Sequence, residues 1–132
     1  VCTSGGSAND MFAVYDIMQH IQEEGTEVAT IGVGKVMSAG VLVLACGTKG
    51  KRKIGKNCRV MIHGVVAGQH GQLHDIENEM EEVRWIQDRY IQALSENSNM
   101  TKKYIKKLLD RKVNVYLDAK EVIELGIADE LI

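Results

Sequence analysis

A run of eight apolar residues, spanning 39–46, constrains the fold more than any other feature of this chain. The run is apolar on every side, so we expect a short helix that is buried all round. A strand-like segment at 28–33 precedes it, and Gly32 and Gly34 break that strand. Because segments with helical and strand patterns alternate along the whole chain, the sequence predicts an α/β fold.

The spacing of apolar residues predicts the other elements. Helices are expected at 7–24, 73–94, 100–111 and 118–125, and strands at 59–63 and 113–117. The segment 47–55 is basic and contains turn residues, so it predicts a loop. Asp118 and Glu121 have the spacing of a capping box at the start of the last helix, and Gly126 is suited to end that helix.

Composition limits the class of protein. With 132 residues and a net charge of −2, the chain predicts one globular domain, 1–132, with no nucleic-acid or membrane partner. No signal peptide is visible, and Cys46 and Cys58 lie in apolar segments. Reduced thiols in the cytoplasm, or in an organelle stroma or matrix, are therefore expected. The missing start methionine and the absence of proline suggest a portion of a longer chain.

Ser38 is the first candidate for chemistry, because it lies between a predicted strand and the buried helix. Backbone N–H groups at a helix N-terminus can stabilise negative charge that develops beside such a serine. The local pattern by itself favours a serine that only caps the helix. The segment is not a nucleophile elbow, because Val36 stands where that motif has glycine and only Gly40 matches.

His63 is the second candidate, because it ends an apolar strand and glycine follows it. Its ring can therefore project at a strand end, where α/β folds commonly place their sites. A histidine without any catalytic role also fits this pattern. His20 lies in a helix beside charged residues, and His70 and His74 have no third ligand nearby, so no metal site is predicted.

Two further features carry weaker signals. The glycine pair Gly5-Gly6 would let the backbone approach a ligand, although an ordinary turn explains it equally well. No phosphate-binding glycine pattern is complete, so no nucleotide or other cofactor is expected. The basic stretch 102–112 contains one aromatic residue, Tyr104, and predicts a solvated helix face.

The order of these segments resembles the Clp protease family over the whole chain. The similar segments are Ser4-Gly5-Gly6-Ser7, Tyr15-Asp16-Ile17-Met18-Gln19, Ser38-Ala39-Gly40, Lys49-Gly50-Lys51-Arg52, Asn57-Cys58-Arg59-Val60-Met61-Ile62-His63, Gly71-Gln72, Asp75-Ile76-Glu77, Tyr116-Leu117, and Leu125-Gly126-Ile127-Ala128-Asp129.

The resemblance implies a ClpP/crotonase-type spiral of repeated β-β-α units, in which the helix around 76–94 protrudes as a handle. It implies a serine endopeptidase that hydrolyses unfolded polypeptides inside stacked heptameric rings, in partnership with an AAA+ unfoldase. By the same resemblance Ser38 is the nucleophile and His63 its base, and the backbone N–H groups of Gly6 and Ala39 form the oxyanion hole. The implied substrate-binding residues are Gly5, Ala8 and Val66.

Departures from the family pattern bear on activity. Counting back from Tyr116-Leu117, the third member of the triad falls on Asn114, where the family usually has aspartate. An amide can hold the histidine tautomer but cannot offset the imidazolium charge, and in serine proteases of the trypsin type this change costs roughly 10⁴ in kcat. Asp110 and Asp118 are the nearby carboxylates, and Asp118 already suits a capping role.

Three other departures concern the surroundings of the site. The family's proline after this strand is replaced, since His63 is followed by Gly64-Val65, and Lys35 stands where the family has glutamine three residues before the serine. The family's N-terminal part, which carries the axial loops, has no counterpart in this sequence.

The sequence leaves three functions open. The first is an active ring peptidase, which the Ser38 and His63 pair favours. The second is a catalytically weak or regulatory ring subunit, which Asn114 favours. The third is a crotonase-like acyl-CoA enzyme, which would need an adenine-binding region and an acidic catalytic residue, and the sequence offers no support for it.

Overall fold

The computed structural model describes all 132 residues of the chain. The helices are α1 (Ala8–Glu23), α2 (Ala39–Ala45), α3 (Leu73–Glu96), α4 (Lys102–Asp110) and α5 (Ala119–Glu124). The strands are β1 (Thr30–Gly32), β2 (Lys35–Met37), β3 (Arg52–Ile54), β4 (Arg59–Ile62), β5 (Val115–Leu117) and β6 (Glu130–Leu131). None of these helices combines the length and the hydrophobicity of a membrane span.

The first two strands, β1 and β2, each pair in parallel with one of the next two strands, β3 and β4. β1 and β3 are parallel with Thr30 opposite Arg52, and β2 and β4 are parallel with Lys35 opposite Arg59. The unit β1-β2-α2 is thus followed by a second unit, β3-β4-α3, lying beside it. This arrangement confirms the expected α/β fold built as a spiral of β-β-α units.

The remaining strands complete two three-stranded sheets. β6 adds to β3 in parallel, and β5 adds to β4 in antiparallel orientation, with Ile62 opposite Val115. At the other side of β2, Thr3 forms a parallel bridge with Val36. The sheet that carries the predicted site therefore begins at Thr3 and continues through β2, β4 and β5.

Helix α2 is the centre of the core, as its apolar sequence predicted. Val41, Leu42 and Leu44 are fully buried, and α2 packs against α1, α3 and the strands β1, β2 and β4. Full burial of one such side chain contributes about 1.5–3 kcal/mol. The segments before and after α2 are thus attached to a helix that is buried in the core.

Helix α3 protrudes from this core. Its buried residues all lie near the C-terminal end, between Tyr90 and Leu94. Leu73 is 72% exposed and Met80 is 48% exposed, although both belong to the apolar repeat of the helix. The protruding handle helix is therefore present.

Three strands were not predicted, and one prediction needs correction. β2, β3 and β6 contain only two or three residues each, too few to show a period-two pattern. The segment 47–55, predicted to be a loop, contains β3. The first residue of β3, Arg52, is only 3% exposed. β1 is shorter than expected, and Ile31 in its centre is 45% exposed because only the alternate residues face the core.

Local signals were read correctly at the last helix and at the cysteines. The Asp118 side chain accepts from Glu121 N–H, and the Glu121 carboxylate accepts from Asp118 N–H, each at 2.8 Å. Gly126 follows with φ 68°, a left-handed value that favours glycine. Cys46 and Cys58 are buried free thiols.

Candidate active site

The backbone of Ser38 is held in a strained conformation between β2 and α2. Ser38 has φ 54° and ψ −121°, which costs a residue with a side chain on the order of 1–3 kcal/mol. Its N–H donates to Met61 O at 2.8 Å, so the turn is anchored to β4. Its side chain makes no capping hydrogen bond, so the capping role that the local pattern favoured is absent. The hydroxyl is therefore free for another role.

The register of β2 and β4 brings His63 close to Ser38. Met37 lies opposite Met61, so one step further along the pair Ser38 faces Ile62, and His63 follows directly. Both side chains are partly buried. No hydrogen bond joins Ser38 Oγ to the His63 ring; instead, the two side chains line one cavity.

That cavity has a volume of about 180 Å³, and seven of its twelve lining residues are hydrophobic. It brings together six of the residues predicted from the sequence. These are Gly6, Ala8, Ser38, Ala39, His63 and Val66. Gly5 does not line this cavity but lies behind Ser38, where a Cβ atom on residue 5 would come within 3.2 Å of Ser38 Oγ.

Two backbone donors border the same cavity. Gly6 N–H has no acceptor in the structure, and Ala39 is the first residue of α2, so its N–H has no intrahelical acceptor. Both residues lie at the cavity surface with Ser38. Free N–H groups at this place have the chemistry that an oxyanion requires.

Asn114 lies on the opposite side of His63. Ile62 pairs with Val115 in antiparallel register, so the next position places His63 across from Asn114. A second cavity, of about 400 Å³, is lined by His63, Asn114 and Asp110. No hydrogen bond joins His63 to either side chain. Asp118 is committed to its capping box and does not line this cavity.

The segment after His63 offers free backbone groups. Residues 63–72 belong to no helix or strand, and Val66 is 81% exposed. Val65 N–H donates to Gln87 Oε1 at 3.1 Å, which ties the segment to α3. The neighbouring N–H and C=O groups of this segment are available to an extended ligand.

The cavity wall contains residues that sequence reasoning did not assign to a site. They are Met11 from α1 and Ile86 and Tyr90 from α3. All three belong to apolar helical repeats, so the sequence marked them as core without showing which of them borders a cavity. The Tyr90 hydroxyl is buried without a hydrogen-bond partner, and burial raises the pKa of Tyr90.

Comparison with known proteins gives a consistent family match. The model of the Clp protease family matches residues 1–132. The chain is 35% identical over 125 residues to ATP-dependent Clp protease proteolytic subunit 1 of Prochlorococcus marinus (strain MIT 9312), covering 95% of this chain and 62% of that protein.

Two further relatives show the same extent of similarity. ATP-dependent Clp protease proteolytic subunit 2 of Parasynechococcus marenigrum (strain WH8102) is 34% identical over 128 residues, covering 97% of this chain and 62% of that protein. ATP-dependent Clp protease proteolytic subunit 1 of Gloeobacter violaceus (strain ATCC 29082 / PCC 7421) is also 34% identical, with the same coverage of both chains. The chain thus spans 62% of the length of these relatives. With a spiral β-β-α fold and a family match along its whole length, this chain belongs to the Clp protease family.

Proposed function

We propose that this chain is a proteolytic subunit that hydrolyses peptide bonds as a serine endopeptidase, with Ser38 as nucleophile and His63 as its base. The observation that carries the proposal is the strained, uncapped Ser38, whose hydroxyl has no structural role and shares a cavity with His63. Strained residues of this kind concentrate at functional sites. The names of the relatives, all proteolytic subunits of ATP-dependent Clp proteases, support the same activity.

The chemistry follows from the groups around Ser38. His63 takes the hydroxyl proton as Ser38 Oγ attacks the scissile carbonyl carbon, and the carbonyl oxygen becomes an oxyanion. The N–H groups of Gly6 and Ala39 bind this oxyanion; in other proteases one such donor contributes roughly 10²–10³ in kcat. His63 then gives the proton to the leaving amine as the C–N bond breaks, which leaves an acyl-enzyme. His63 next takes a proton from a water molecule that attacks the acyl carbon, and it returns this proton to Ser38 Oγ as the ester bond breaks and the carboxylic acid product leaves.

The third member of the triad has two candidates. Asn114 faces His63 by register, and Asp110 ends α4 at the same cavity. Only a carboxylate can offset the imidazolium charge that forms during the reaction, so chemistry favours Asp110. We therefore propose that Asp110 orients His63, and that Asn114, the residue implied by sequence resemblance, is the alternative.

The proposed substrate is an extended segment of an unfolded polypeptide. Residues 64–66 border the same cavity as residues 6–8, and apart from Val65 N–H their backbone groups are free, which allows the substrate to add as a strand. The apolar wall formed by Met11, Ile86 and Tyr90 favours an apolar side chain next to the scissile bond. Neither this substrate binding nor the proposed hydrolysis needs a metal ion or a cofactor.

The assembly is part of the same proposal. A ring of copies of this chain, stacked on a second ring and served by an AAA+ unfoldase, would confine the site so that only unfolded chains reach it. The relatives' names specify ATP-dependent proteolysis, which supports an ATPase partner. The protruding α3, exposed along most of its length, supports contacts between copies.

A catalytically weak or regulatory ring subunit is the alternative function. It is favoured by the lack of any hydrogen bond from the His63 ring to Ser38 Oγ or to a third group. In that case the chain would contribute ring structure while other subunits supply the chemistry.

Labelling with a fluorophosphonate serine probe separates these two functions. We expect the chain to take up one probe per molecule by intact mass, and Ser38→Ala to take up none. His63→Ala should also block labelling, whereas His20→Ala, a change of the same kind on α1, should leave it intact. An assembled ring that takes up no probe would favour the regulatory subunit.

A further inference from the structure

The segment that follows His63 is tied to the rest of the chain by a single side chain. Gln87 Oε1 accepts a hydrogen bond from Val65 N–H at 3.1 Å. No other backbone group of residues 64–70 takes part in a hydrogen bond. The position of this segment therefore depends on Gln87 of helix α3.

The direction of this hydrogen bond determines which edge of the segment stays free. The chain makes no turn or bend between residues 63 and 70, and none of these residues has a positive φ. In an extended segment of this kind, the N–H and C=O groups of successive residues point to opposite edges. The groups of Val65 thus point towards Gln87, and those of Gly64 and Val66 point the other way.

Two cavities show where each edge lies. Residues 64–66 line both cavities, but Gln87 lines only the cavity of about 400 Å³ that also contains Asn114. Ser38 lines only the other cavity, of about 180 Å³. The edge formed by Gly64 and Val66 therefore faces the cavity of Ser38. Gln87 uses the one N–H that points away from that cavity and leaves the opposite edge free.

The local sequence makes this contact both possible and necessary. Gly64-Val65 stands where the Clp protease family has proline, and proline would fix φ near −65° and would have no N–H to donate. Gly64 also leaves room for the amide, since a Cβ atom on residue 64 would lie 3.0 Å from Gln87 Oε1. A side-chain hydrogen bond is thus present where the restraint of a proline ring is missing.

Gln87 is itself well supported. Its side chain is half-buried, and it lies one turn before Tyr90 and Leu94, the ends of the buried part of α3. Its neighbour Ile86 borders the cavity of Ser38. The acceptor is therefore attached to the part of α3 that packs on the core.

We propose that Gln87 is a positioning residue for peptide binding: by holding Val65 N–H it orders residues 64–66 as a strand whose free edge pairs with an extended peptide. The inference rests on the proposed function, because it concerns how that same site binds its substrate. Without the contact, the segment would have to be ordered when the peptide binds, and this ordering lowers affinity. Gln87 borders no reacting group, so the chemical step should not depend on it.

Peptide binding without catalysis tests the proposal. In the Ser38→Ala chain, the dissociation constant of a fluorescent peptide of about six mainly apolar residues is measured by fluorescence anisotropy. Adding Gln87→Met, which keeps the length but loses the strong acceptor, should raise this constant about five- to tenfold. Gln87→Glu keeps an acceptor oxygen and should stay within about twofold. The matched control on the same helix, Gln92→Met, bonds to Glu96 instead and should change nothing.

A double-mutant cycle shows whether the effect passes through Val65 N–H. Val65→Pro removes the donor and fixes the backbone by its ring. In that background, Gln87→Met should change the dissociation constant by less than about twofold, because no contact remains to be lost. Amide hydrogen exchange adds a readout that needs no peptide: Val65 N–H should exchange about tenfold faster in Gln87→Met than in Gln87→Glu.

Steady-state kinetics separate positioning from chemistry. In the chain with Ser38 intact, Gln87→Met should raise KM for a peptide about five- to tenfold and leave kcat within about twofold. This is the pattern expected when a contact serves substrate and transition state equally. The rate of labelling by the small fluorophosphonate probe should not change, because the probe does not extend along residues 64–66.

Several results would overturn the proposal. One is wild-type peptide affinity in Gln87→Met, with the variant shown to be folded by circular dichroism; another is a fall in kcat with unchanged KM. Failure of the Ser38→Ala chain to bind any extended peptide would also exclude a strand-pairing edge. A wild-type chain that binds peptide but is neither labelled nor active would refute the peptidase alone, and the binding comparison would still decide the role of Gln87.

Discussion

Gly5 lies directly behind Ser38: a Cβ atom on residue 5 would be 2.7 Å from the Cβ atom of Ser38 and 3.1 Å from Met37 O. Gly5 also has φ 101°, in the region that favours glycine. Its N–H donates to Thr3 Oγ1 at 3.0 Å, which fixes the turn in front of β2. The absence of a side chain at residue 5 is therefore what leaves room for the side chain of Ser38.

Replacing this glycine should affect both the fold and the site. We expect Gly5→Ala to abolish probe labelling of Ser38 and to lower the free energy of unfolding by more than about 1 kcal/mol, from backbone strain and the clash together. Gly25→Ala is the matched control, since Gly25 has φ 89° and open space around its Cβ position. It should cost about 1 kcal/mol and leave labelling unchanged. Normal labelling of Gly5→Ala would show that residue 5 does not shape the site.

The third member of the proposed triad can be identified by comparing two variants. We expect Asp110→Asn to lower kcat for a model peptide by about 10²–10⁴-fold, because the imidazolium loses its counter-charge. Asn114→Ala should change kcat by less than about threefold. The opposite pattern, with a large loss in Asn114→Ala and a gain in Asn114→Asp, would identify Asn114 as the third member. Urea unfolding of each variant separates a loss of chemistry from a loss of folding.

Asp118 supplies the corresponding structural control. Because its side chain caps α5, Asp118→Ala should lower the free energy of unfolding by about 1 kcal/mol. Its kcat should stay within about twofold of the wild type, since Asp118 does not border either cavity at His63. A large fall in kcat with normal stability would contradict the assignment of this carboxylate to capping.

The sequence predicted the helices well because each has a long apolar repeat or a capping signal. It failed at β3, because an arginine at the start of a three-residue segment predicts solvent exposure unless its partner is known. That partner is Asp129, 77 residues further along the chain. Long-range pairs of this kind leave no local pattern.

The residues of the candidate site could be placed only in part from the sequence, because their contacts also join distant segments of the chain. Ser38 and His63 were identified by their neighbours, and the parallel register of β2 and β4 then brought them together. The local pattern at Ser38 favoured capping, because backbone strain cannot be read from residue types. The choice between Asn114 and Asp110 depends on where α4 ends relative to β5, which spacing alone does not determine.

Buried Arg52 and partly exposed Asp129 form an ion pair that joins β3 to the C-terminal segment. Arg52 Nη2 lies 2.6 Å from Asp129 Oδ1, and Arg52 Nη1 donates to Ala45 O and Asn97 O. We expect Arg52→Met to cost about 2–3 kcal/mol, because the carbonyls of Ala45 and Asn97 lose a charged donor, whereas the Asp129 carboxylate is 24% exposed and stays partly hydrated. The exposed pair Lys53–Glu130, on the same two strands, is the control; Lys53→Met should cost at most about 1 kcal/mol.

The pH dependence of stability should depend on the same pair. Hydrogen bonds from Arg52, foremost the side-chain bonds, hold the pKa of Asp129 below its ordinary value of 3.8. Because the folded pKa is the lower one, this stabilisation is complete above the unfolded pKa and is lost as the pH falls through the folded value. Urea unfolding from pH 6 to pH 2.5 should therefore show a steeper loss for the wild type than for Asp129→Asn. Parallel curves would mean that other carboxylates determine acid stability.

The three cysteines should differ in reactivity according to burial. Cys2 is exposed, whereas Cys46 and Cys58 are buried. Burial raises the pKa of Cys46 to about 12 and also raises that of Cys58, so both remain thiols at pH 8. We expect an aromatic disulfide reagent to modify one thiol per native chain rapidly and all three in urea. Cys2→Ser should remove the rapid phase, and a rapid phase of two or three thiols in the native wild type would show that the core around α2 opens.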